Sequence, residues 1–399
     1  MKQTRSPTPR LVGAALLLGA IAVLALVFAW QSPKDPRGLP AAGGVPLGAP
    51  ALLPAERTEL GVNLNIPFLD SELESRQEFH VRAAAAHGVR LARADALWAG
   101  AEPVSPALHG RHEYDWRRND RIAGLFARAH IRWWVVLDYC PVWASEDKRL
   151  MHAPPRVNAE FATYARAFAK RYGRGGRFWR LHPELPRLPV TDYEVWNEPD
   201  SSAFWQPRPD ARRYLDMYLR TRNAIKTVET GARVIVGGLT RGNVGFLTRL
   251  LEARPGVSAH IDGLGLHPYG STPDEVLDHV RTFRKALARL GAGAMPLYLT
   301  EYGWQDSRRA VRYYAAPALK ADYITSSVLG LERSRCGVAA ILLYTWTTLE
   351  RDPTSVDDWY GVYGPRGGER PSSLALGALL REDPARTRAE PRSAPVADC

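Results

Sequence analysis

Short apolar runs alternate with amphipathic segments along most of the chain. Eight runs have the length and composition of buried strands, and each is followed by a segment with the 3.6-residue spacing of a helix. This repeated strand and helix pattern predicts an α/β fold, a closed (β/α)8 TIM barrel, with a doubly wound sheet as the alternative. The predicted strands cover residues 60–66, 89–94, 131–137, 193–196, 233–236, 261–266, 297–300 and 338–344, and the predicted helices cover residues 76–86, 117–130, 159–172, 210–229, 244–253, 273–290, 318–333 and 373–380.

The N-terminal region has a different pattern. Residues 11–30 are uncharged and mostly apolar, and Lys2, Arg5 and Arg10 precede them. A run of this length is enough to span a bilayer, and it ends without a small-residue cleavage site, so it predicts an uncleaved transmembrane signal anchor. The preceding positive charges would keep residues 1–10 in the cytoplasm and the remainder outside it, in the periplasm or at the cell surface. A cleaved leader and a secreted protein are the alternative.

Composition divides the rest of the chain. Residues 31–54, rich in Pro, Gly and Ala, predict a flexible tether; residues 55–380 predict the barrel domain; residues 381–399 predict a disordered tail. The net charge is +11, but only 7 of the 53 basic residues are lysine. Basic residues are not interleaved with aromatic ones, which argues against nucleic-acid binding. A basic surface is compatible with an acidic polysaccharide or with anionic lipid headgroups.

The three cysteines do not predict a disulfide framework. Cys140 and Cys336 lie at or beside predicted strands, so we expect them to be buried thiols, and Cys399 is the final residue. The sequence contains neither a Cys/His cluster with zinc spacing nor a glycine-rich phosphate loop nor a serine elbow. We therefore predict no metal and no organic cofactor.

Two glutamates stand where predicted strands end. Glu198 belongs to the segment WNEP (196–199) after the fourth strand, and Glu301 to the segment TEYGW (300–304) after the seventh. In a barrel the carboxyl ends of the strands meet at one face, so the two side chains are expected to lie close together. Glycoside cleavage needs one carboxyl group to protonate the leaving oxygen and a second to attack or stabilise the anomeric carbon.

The two segments, in this order and on these strands, resemble clan A of the retaining glycoside hydrolases. The likeness extends through VRLAR (89–93), LDYCPVW (137–143), LHPYG (266–270) and YTW (344–346). Within the clan, the chain is most similar to family 39 and to the related bacterial exopolysaccharide endoglycosidases. The resemblance implies that Glu198 is the acid/base, that Glu301 is the nucleophile, and that hydrolysis retains the anomeric configuration.

Seven further residues are candidates for substrate contacts. A cationic neighbour would hold the pKa of the nucleophile down, and Arg93 on the second strand is the candidate. Asn197 would hydrogen-bond the 2-hydroxyl of the sugar, and the side chains after the sixth strand would orient the nucleophile or a sugar hydroxyl. Aromatic rings would pack on the sugar faces. The resemblance also implies a cis peptide after the tryptophan that follows the eighth strand. The candidates are Asn197, Arg93, His267, Tyr269, Trp346, Trp143 and Asp138, whereas Glu194 is expected to be structural or a surface charge.

We expect a glycosidase that hydrolyses O-glycosyl bonds of a polysaccharide or oligosaccharide. A membrane anchor favours endo-acting cleavage of a cell-envelope polysaccharide or exopolysaccharide, with the export machinery as a possible partner. The alternatives are an exo-acting β-xylosidase-like enzyme and a carbohydrate-binding barrel without turnover. Transglycosylation would use the same covalent intermediate with a sugar as the acceptor in place of water.

Overall fold

A computed structural model of the chain describes residues 58–381 and residue 399. Eight parallel strands pair in chain order, and the last also pairs with the first, so the sheet closes on itself. The predicted (β/α)8 barrel is confirmed. The strands are β1 (Glu59–Asn63), β2 (Leu91–Leu97), β3 (Arg132–Asp138), β4 (Asp192–Val195), β5 (Arg233–Thr240), β6 (Leu264–His267), β7 (Leu297–Leu299) and β8 (Val338–Leu343).

Every strand is followed by at least one helix on the outside of the barrel. Most of the long helices begin and end within two residues of the predicted bounds, and the largest difference is at the end of the helix after β4. The helices are α1 (Ile66–Leu69), α2 (Gln77–Ala86), α3 (Trp98–Ala101), α4 (Arg117–Arg128), α5 (Asn158–Tyr172), α6 (Arg177–Leu181), α7 (Ala211–Lys226), α8 (Val244–Glu252), α9 (Pro273–Arg289), α10 (Pro317–Arg333) and α11 (Pro371–Arg381).

Local chemistry accounts for the start of α9. The Thr272 hydroxyl accepts a hydrogen bond from the backbone N–H of Glu275, and Pro273 occupies the first turn, where no intrahelical partner for its nitrogen is needed. The Glu275 carboxylate reaches back to the N–H of Ser271. Threonine followed three residues later by glutamate is a capping box, and it sets where the chain leaves the β6 loop.

The core has two parts. A large layer lies between the strands and the helices, and a smaller cluster fills the barrel interior, where Leu91, Trp134, Ile235 and Tyr298 meet. The strands are buried on both faces, as β3 shows: all its residues except Arg132 are buried. Continuous apolar runs are therefore the correct signature of these strands, and alternation would not have found them.

One strand extends beyond its predicted end. The strand β5 continues through Gly237 and Gly238 to Thr240, whereas the prediction ended at residue 236. Its pairing with β6 shifts register between Val236 and Leu239. A side chain at Gly238 would lie 2.0 Å from Nε2 of His267. Position 238 therefore requires glycine, because the His267 ring approaches the backbone closely, and the glycine does not mark the end of the strand.

The expectation for Cys336 is wrong. Its sulfur forms a disulfide with Cys399, 63 residues later in the chain. The last residue of the chain lies beside the start of β8, an adjacency that no local pattern encodes. Cys140 is a buried free thiol, as predicted; its Sγ lies 3.2 Å from the Ala153 carbonyl oxygen, and burial raises the pKa of the thiol to about 12.

The predicted anchor at 11–30 and the tether at 31–54 lie outside the described residues, as does the predicted tail at 381–399 except for its first and last residues. Among residues 58–381, no helix is both long and apolar enough to cross a membrane.

Candidate active site

Glu198 and Glu301 face each other at the carboxyl ends of β4 and β7. One oxygen of each carboxylate and Nδ1 of His267 all lie within 4.8 Å of one another. The side chains of both glutamates are mostly buried, with 13% and 12% of their surface exposed, whereas that of His267 is almost fully buried. The structure thus brings together the two carboxylates that were predicted from separate segments of the sequence.

His267, at the end of β6, lies between the two carboxylates. Its Nδ1 is 2.8 Å from Oε1 of Glu198 and 3.7 Å from Oε2 of Glu301, and its Nε2 is 3.1 Å from the hydroxyl of Thr300. Burial opposes protonation of the imidazole, but the charges of Glu301 and Glu198 outweigh it, so the pKa of His267 is raised. The absence of a side chain at Gly238 leaves the space that the ring occupies.

Arg93 connects the nucleophile candidate to the barrel interior. Its guanidinium donates to Glu301, to Oδ1 of Asn63 at 2.9 Å, to Oδ1 of Asn197 at 2.9 Å, and to both oxygens of Glu194 at 2.9 and 3.1 Å. The strand β2 continues four residues beyond Arg93, so this side chain rises from inside the barrel and not from the strand end. The bonds to Glu301 and Asn197 orient groups that border the site, and the other three hold the guanidinium inside the barrel.

Glu194 is a residue that sequence reasoning undervalued. It is fully buried, and besides Arg93 it accepts hydrogen bonds from the N–H of Gly238, the hydroxyl of Thr300 and Nε1 of Trp134. Burial disfavours its ionised form, but the guanidinium of Arg93 outweighs burial, and the pKa of Glu194 is lowered. The sequence did contain a signal for a buried ion pair: an acidic residue inside the short buried strand β4 and an arginine inside β2. Glu194 is a structural carboxylate, not a surface charge.

A group of tyrosines lines the site beside Glu301. The hydroxyl of Tyr269 donates to Oε2 of Glu301 at 3.1 Å. The ring of Tyr269 lies 5.6 Å from Tyr313, 6.3 Å from Tyr344 and 5.7 Å from Tyr360, measured between centroids. Tyr313, Tyr344 and Tyr360 were not predicted, and they come from the loops after β7 and β8.

The prediction for Trp346 is wrong. The side chain is fully buried, stacked on Tyr363 at 4.8 Å with the edge of His87 at 5.3 Å. Its backbone is held on both sides, by a hydrogen bond to Asn63 and by one from Tyr363, so the ring turns into the core and offers no face to a sugar. The non-proline cis peptide is Tyr344-Thr345, not the bond after Trp346.

The prediction for Asp138 is also wrong. This residue is fully buried, and neither carboxylate oxygen has a hydrogen-bond partner among the described residues. Burial, with the charge of Asp95 adding to it, raises the pKa of Asp138 well above the usual range. A fully buried carboxyl group offers no surface to a substrate in the cleft.

Trp143 lies in the loop after β3 and is partly exposed. Its Nε1 donates to the carbonyl oxygen of Glu102 at 2.8 Å, and its ring meets the edge of Trp98 at 5.4 Å. These contacts orient one face of the ring, but they do not join it to the carboxylate pair.

The turn that carries Glu198 has an unusual backbone. Trp196 and Glu198 have φ values of +68° and +40°, a left-handed backbone conformation that residues other than glycine rarely adopt. The carboxylate of Asp200 accepts hydrogen bonds from the N–H and the hydroxyl of Thr240, which tie this turn to the end of β5. Burial and the charge of Glu198 raise the pKa of Asp200 to about 6. Surrounding contacts therefore impose the position of Glu198.

No protein-family model matches the chain. Over 243 residues the chain is 25% identical to a β-xylosidase from Geobacillus stearothermophilus, a match that covers 53% of this chain and 45% of that enzyme. A monomeric β-xylosidase from Caulobacter crescentus CB15 superimposes with a TM-score of 0.62 at 19% identity, over 82% of this chain and 69% of the other. A family 39 enzyme from Xanthomonas axonopodis pv. citri superimposes with a TM-score of 0.62 at 20% identity, over 84% of this chain and 68% of the other. A family 39 glycoside hydrolase from Bacteroides cellulosilyticus WH2 superimposes with a TM-score of 0.59 at 18% identity, over 83% of this chain and 65% of the other.

The chain resembles the family 39 glycoside hydrolases. The resemblance inferred from the two glutamate segments is thereby confirmed. The structural matches establish the fold, and the chain spans less than half the length of the β-xylosidase that it matches in sequence.

The carboxylate pair is suited to acid/base and nucleophilic chemistry. The same pair and His267 also present the only donor set among residues 58–381 that has the spacing of a metal site, one imidazole and two carboxylates. A metal ion there would occupy both carboxylates. Glycoside cleavage instead requires one of them to hold a proton and the other to be free to attack.

Proposed function

We propose that this protein is a retaining glycosidase that hydrolyses O-glycosyl bonds by double displacement. The observation that carries the proposal is the approach of Glu198 and Glu301, whose nearest oxygens lie within 4.8 Å. Inverting enzymes separate the two carboxyl groups by about 6.5–9.5 Å to admit a water molecule, whereas retaining enzymes hold them about 5–5.5 Å apart. The approach of the two nearest oxygens to within 4.8 Å is compatible with the shorter separation of the retaining enzymes.

In the first step, an oxygen of Glu301 bonds to the anomeric carbon while the bond to the leaving oxygen breaks, and Glu198 gives its proton to that oxygen. In the second step, water attacks the anomeric carbon, its proton returns to Glu198, and Glu301 departs. Arg93 and Tyr269 each donate to Glu301 and so fix its orientation. His267 holds Glu198 in place. The Asn197 oxygen accepts from Arg93 and the side chain also hydrogen-bonds Tyr139, so the amide nitrogen is the group that would donate to the 2-hydroxyl of the sugar.

Trapping of the covalent intermediate tests the mechanism. The full-length protein is incubated with a panel of activated 2-deoxy-2-fluoro glycosides, followed by peptide mass spectrometry. A glycosyl adduct on the peptide that contains Glu301, absent from Glu301→Gln, is the expected result. Glu78→Gln on the exposed surface of α2 is the matched control and should still be labelled. If no peptide is labelled while the same protein hydrolyses aryl glycosides with inversion, the retaining mechanism is refuted.

The proposed substrate is a polysaccharide cut internally. Product sizing after incubation with β-linked bacterial and plant polysaccharides distinguishes this from exo action. Oligosaccharides of several lengths from the parent protein, and none from Glu301→Gln, support endo cleavage. The similarity to β-xylosidases supports the second candidate, an exo-acting β-xylosidase-like enzyme, which would release only xylose from xylo-oligosaccharides. Tight binding without turnover in both proteins would point to a carbohydrate-binding barrel, and longer products would point to transglycosylation.

The proposed location is the outer side of the cytoplasmic membrane, with residues 11–30 as the anchor. The disulfide between Cys336 and Cys399 supports an oxidising compartment, because disulfides persist there and are rare in the cytosol. Without protease the chain should be recovered in the membrane fraction, and protease added to intact spheroplasts should degrade its barrel domain. Recovery of the chain in the cytosol would refute this location, and recovery of a shortened chain in the medium would favour secretion. Association with polysaccharide export machinery belongs to the same proposal.

A further inference from the structure

The loop between β7 and α10, residues 300–316, carries three arginines at its tip: Arg308, Arg309 and Arg312. All three are exposed, and none of the three side chains forms an ion pair with any described residue. The arginines on the opposite side of the rim behave differently. Arg111, after β2, pairs with Glu113, and Arg149, after β3, pairs with Asp147. The three arginines of the β7 loop therefore present unneutralised positive charge.

The two acidic residues of the same loop, Glu301 and Asp306, do not neutralise this charge, since Glu301 pairs with Arg93 in the candidate active site. The carboxylate of Asp306 is directed away from the tip and is nearly buried; it lies 3.3 Å from the ammonium of Lys320 and 3.7 Å from the guanidinium of Arg370. Lys320 lies in the first turn of α10 and Arg370 directly before α11, so both of these cations lie outside the loop. The negative charge is thus used to hold the loop to the barrel, and the positive charges at its tip remain available.

The loop is held in one conformation by a buried side chain. The amide nitrogen of Gln305 donates to the carbonyl oxygens of Ala310 and Arg312 at 2.9 and 3.1 Å, and its amide oxygen accepts from the N–H of Ser307 at 2.7 Å. Gln305 is fully buried. A fixed backbone reduces the conformational entropy that is lost when the arginines bind a ligand.

The tip adjoins the candidate active site. Tyr313 follows Arg312 directly, and its ring lies 5.6 Å from that of Tyr269, whose hydroxyl donates to Glu301. Two aromatic rings, those of Tyr313 and Tyr269, therefore lie between Arg312 and the glutamate that would attack the sugar. A group that they bind would belong to the substrate chain on one side of the cleaved bond.

We propose that the substrate is an anionic polysaccharide, and that Arg308, Arg309 and Arg312 bind the carboxylates of its acidic sugars outside the cleavage subsite. The proposal rests on the glycosidase function proposed above. Guanidinium groups match carboxylates in a bidentate geometry and remain charged at every physiological pH. One negative charge on each repeat of the polymer would suit three arginines on one rigid loop.

The test measures binding, so that it does not depend on turnover. The full-length Glu301→Gln protein is titrated with uronate-bearing polysaccharides, each paired with its carboxyl-reduced form. At least one charged polymer should bind at least about 10-fold more tightly than its reduced form, since three exposed ion pairs each contribute modestly. This preference should weaken between 0.05 and 0.3 M salt.

The variant Arg308→Ala/Arg309→Ala/Arg312→Ala should lose the preference. A triple alanine variant of Arg128, Arg254 and Arg289, which lie at the helix ends on the opposite face of the barrel, removes the same charge and should keep it. Equal binding of the charged and reduced polymers, or an equal loss in both triple variants, would overturn the proposal. A phosphate-substituted polymer bound in preference to the uronates would reassign the site to phosphate. Hydrolysis by Glu301→Gln would instead refute the catalytic assignment and leave the binding result intact.

Discussion

Replacement of Arg93 by methionine should destabilise the protein strongly at neutral pH. The substitution keeps the length of the side chain but leaves the carboxylate of Glu194 fully buried without its cation. Glu194 loses two hydrogen bonds, of 2.9 and 3.1 Å, and keeps those from Gly238, Thr300 and Trp134.

The expected magnitude follows from these contacts. A hydrogen bond to a charged group contributes about 1.5–3 kcal/mol, and removal of one partner from a buried ion pair costs about 3–5 kcal/mol. We therefore expect the free energy of unfolding of Arg93→Met to fall by about 4 kcal/mol at pH 7. In Arg93→Met/Glu194→Gln the buried charge is gone, so much of this loss should be recovered.

The loss should depend on pH. In the parent protein the pKa of Glu194 is lowered, so its ion pair contributes stability above the unfolded pKa of about 4.3, and this contribution fades as the pH falls below that value. In Arg93→Met the guanidinium is gone, and only the three remaining hydrogen bonds and the charge of His267 oppose burial. We therefore expect the pKa of Glu194 to lie above its unfolded value, so that the variant loses stability as the pH rises above about 4.3. The difference between the parent and the variant should shrink between pH 7 and pH 4.5.

Equilibrium unfolding in urea, followed by tryptophan fluorescence at both pH values, measures these differences. Arg284→Met is the control, because Arg284 is equally buried but donates to the carbonyl oxygens of Cys336 and Gly293 and to no carboxylate. Its cost should be the same at pH 4.5 and pH 7. A cost of Arg93→Met below about 1 kcal/mol, or one that does not change with pH, would refute the reasoning.

Three further predictions follow from other contacts. Gly238→Ala places Cβ 2.0 Å from the His267 ring, so the rate of hydrolysis should fall about 100-fold while the circular dichroism spectrum is unchanged. The control is Gly330→Ala, which has open space around the new Cβ and should keep full activity. Cys399→Ser removes a disulfide between residues 63 positions apart, so the free energy of unfolding should fall by up to about 4 kcal/mol without loss of activity. The melting temperature should fall accordingly, and a reductant should lower the melting temperature of the parent only. The pKa of His267 is raised, so its charge adds stability that is complete below about pH 6.5 and is lost as the pH rises through the raised value. In urea unfolding, His267→Asn should therefore lower the free energy of unfolding more at pH 6 than at pH 9. An equal loss at both pH values would contradict the assigned charge.

Local patterns were sufficient for the barrel and for the position of the carboxylates. Each strand and helix leaves its own periodicity in consecutive residues, and eight such pairs have few ways to bury their apolar faces. Because parallel strands end at one face of a barrel, the placement of Glu198 and Glu301 after β4 and β7 was sufficient to predict that they meet. The prediction ended the fifth strand at residue 236, where the apolar run meets two glycines, but β5 continues through them to Thr240.

The tertiary structure decided what surrounds the pair. Burial of Asp138, the inward turn of Trp346, the pairing of Arg93 with Glu194 and the disulfide of Cys336 all depend on which segments become neighbours when the barrel closes. A single residue type leaves all these outcomes open, because a buried carboxyl group can be paired or neutral and a tryptophan can face a cleft or the core. The sequence by itself determined the elements, whose hydrogen bonds and periodicity are local. Contacts between distant residues decided the charges and orientations in the site, because the free energy of each group depends on the neighbours that remove it from water.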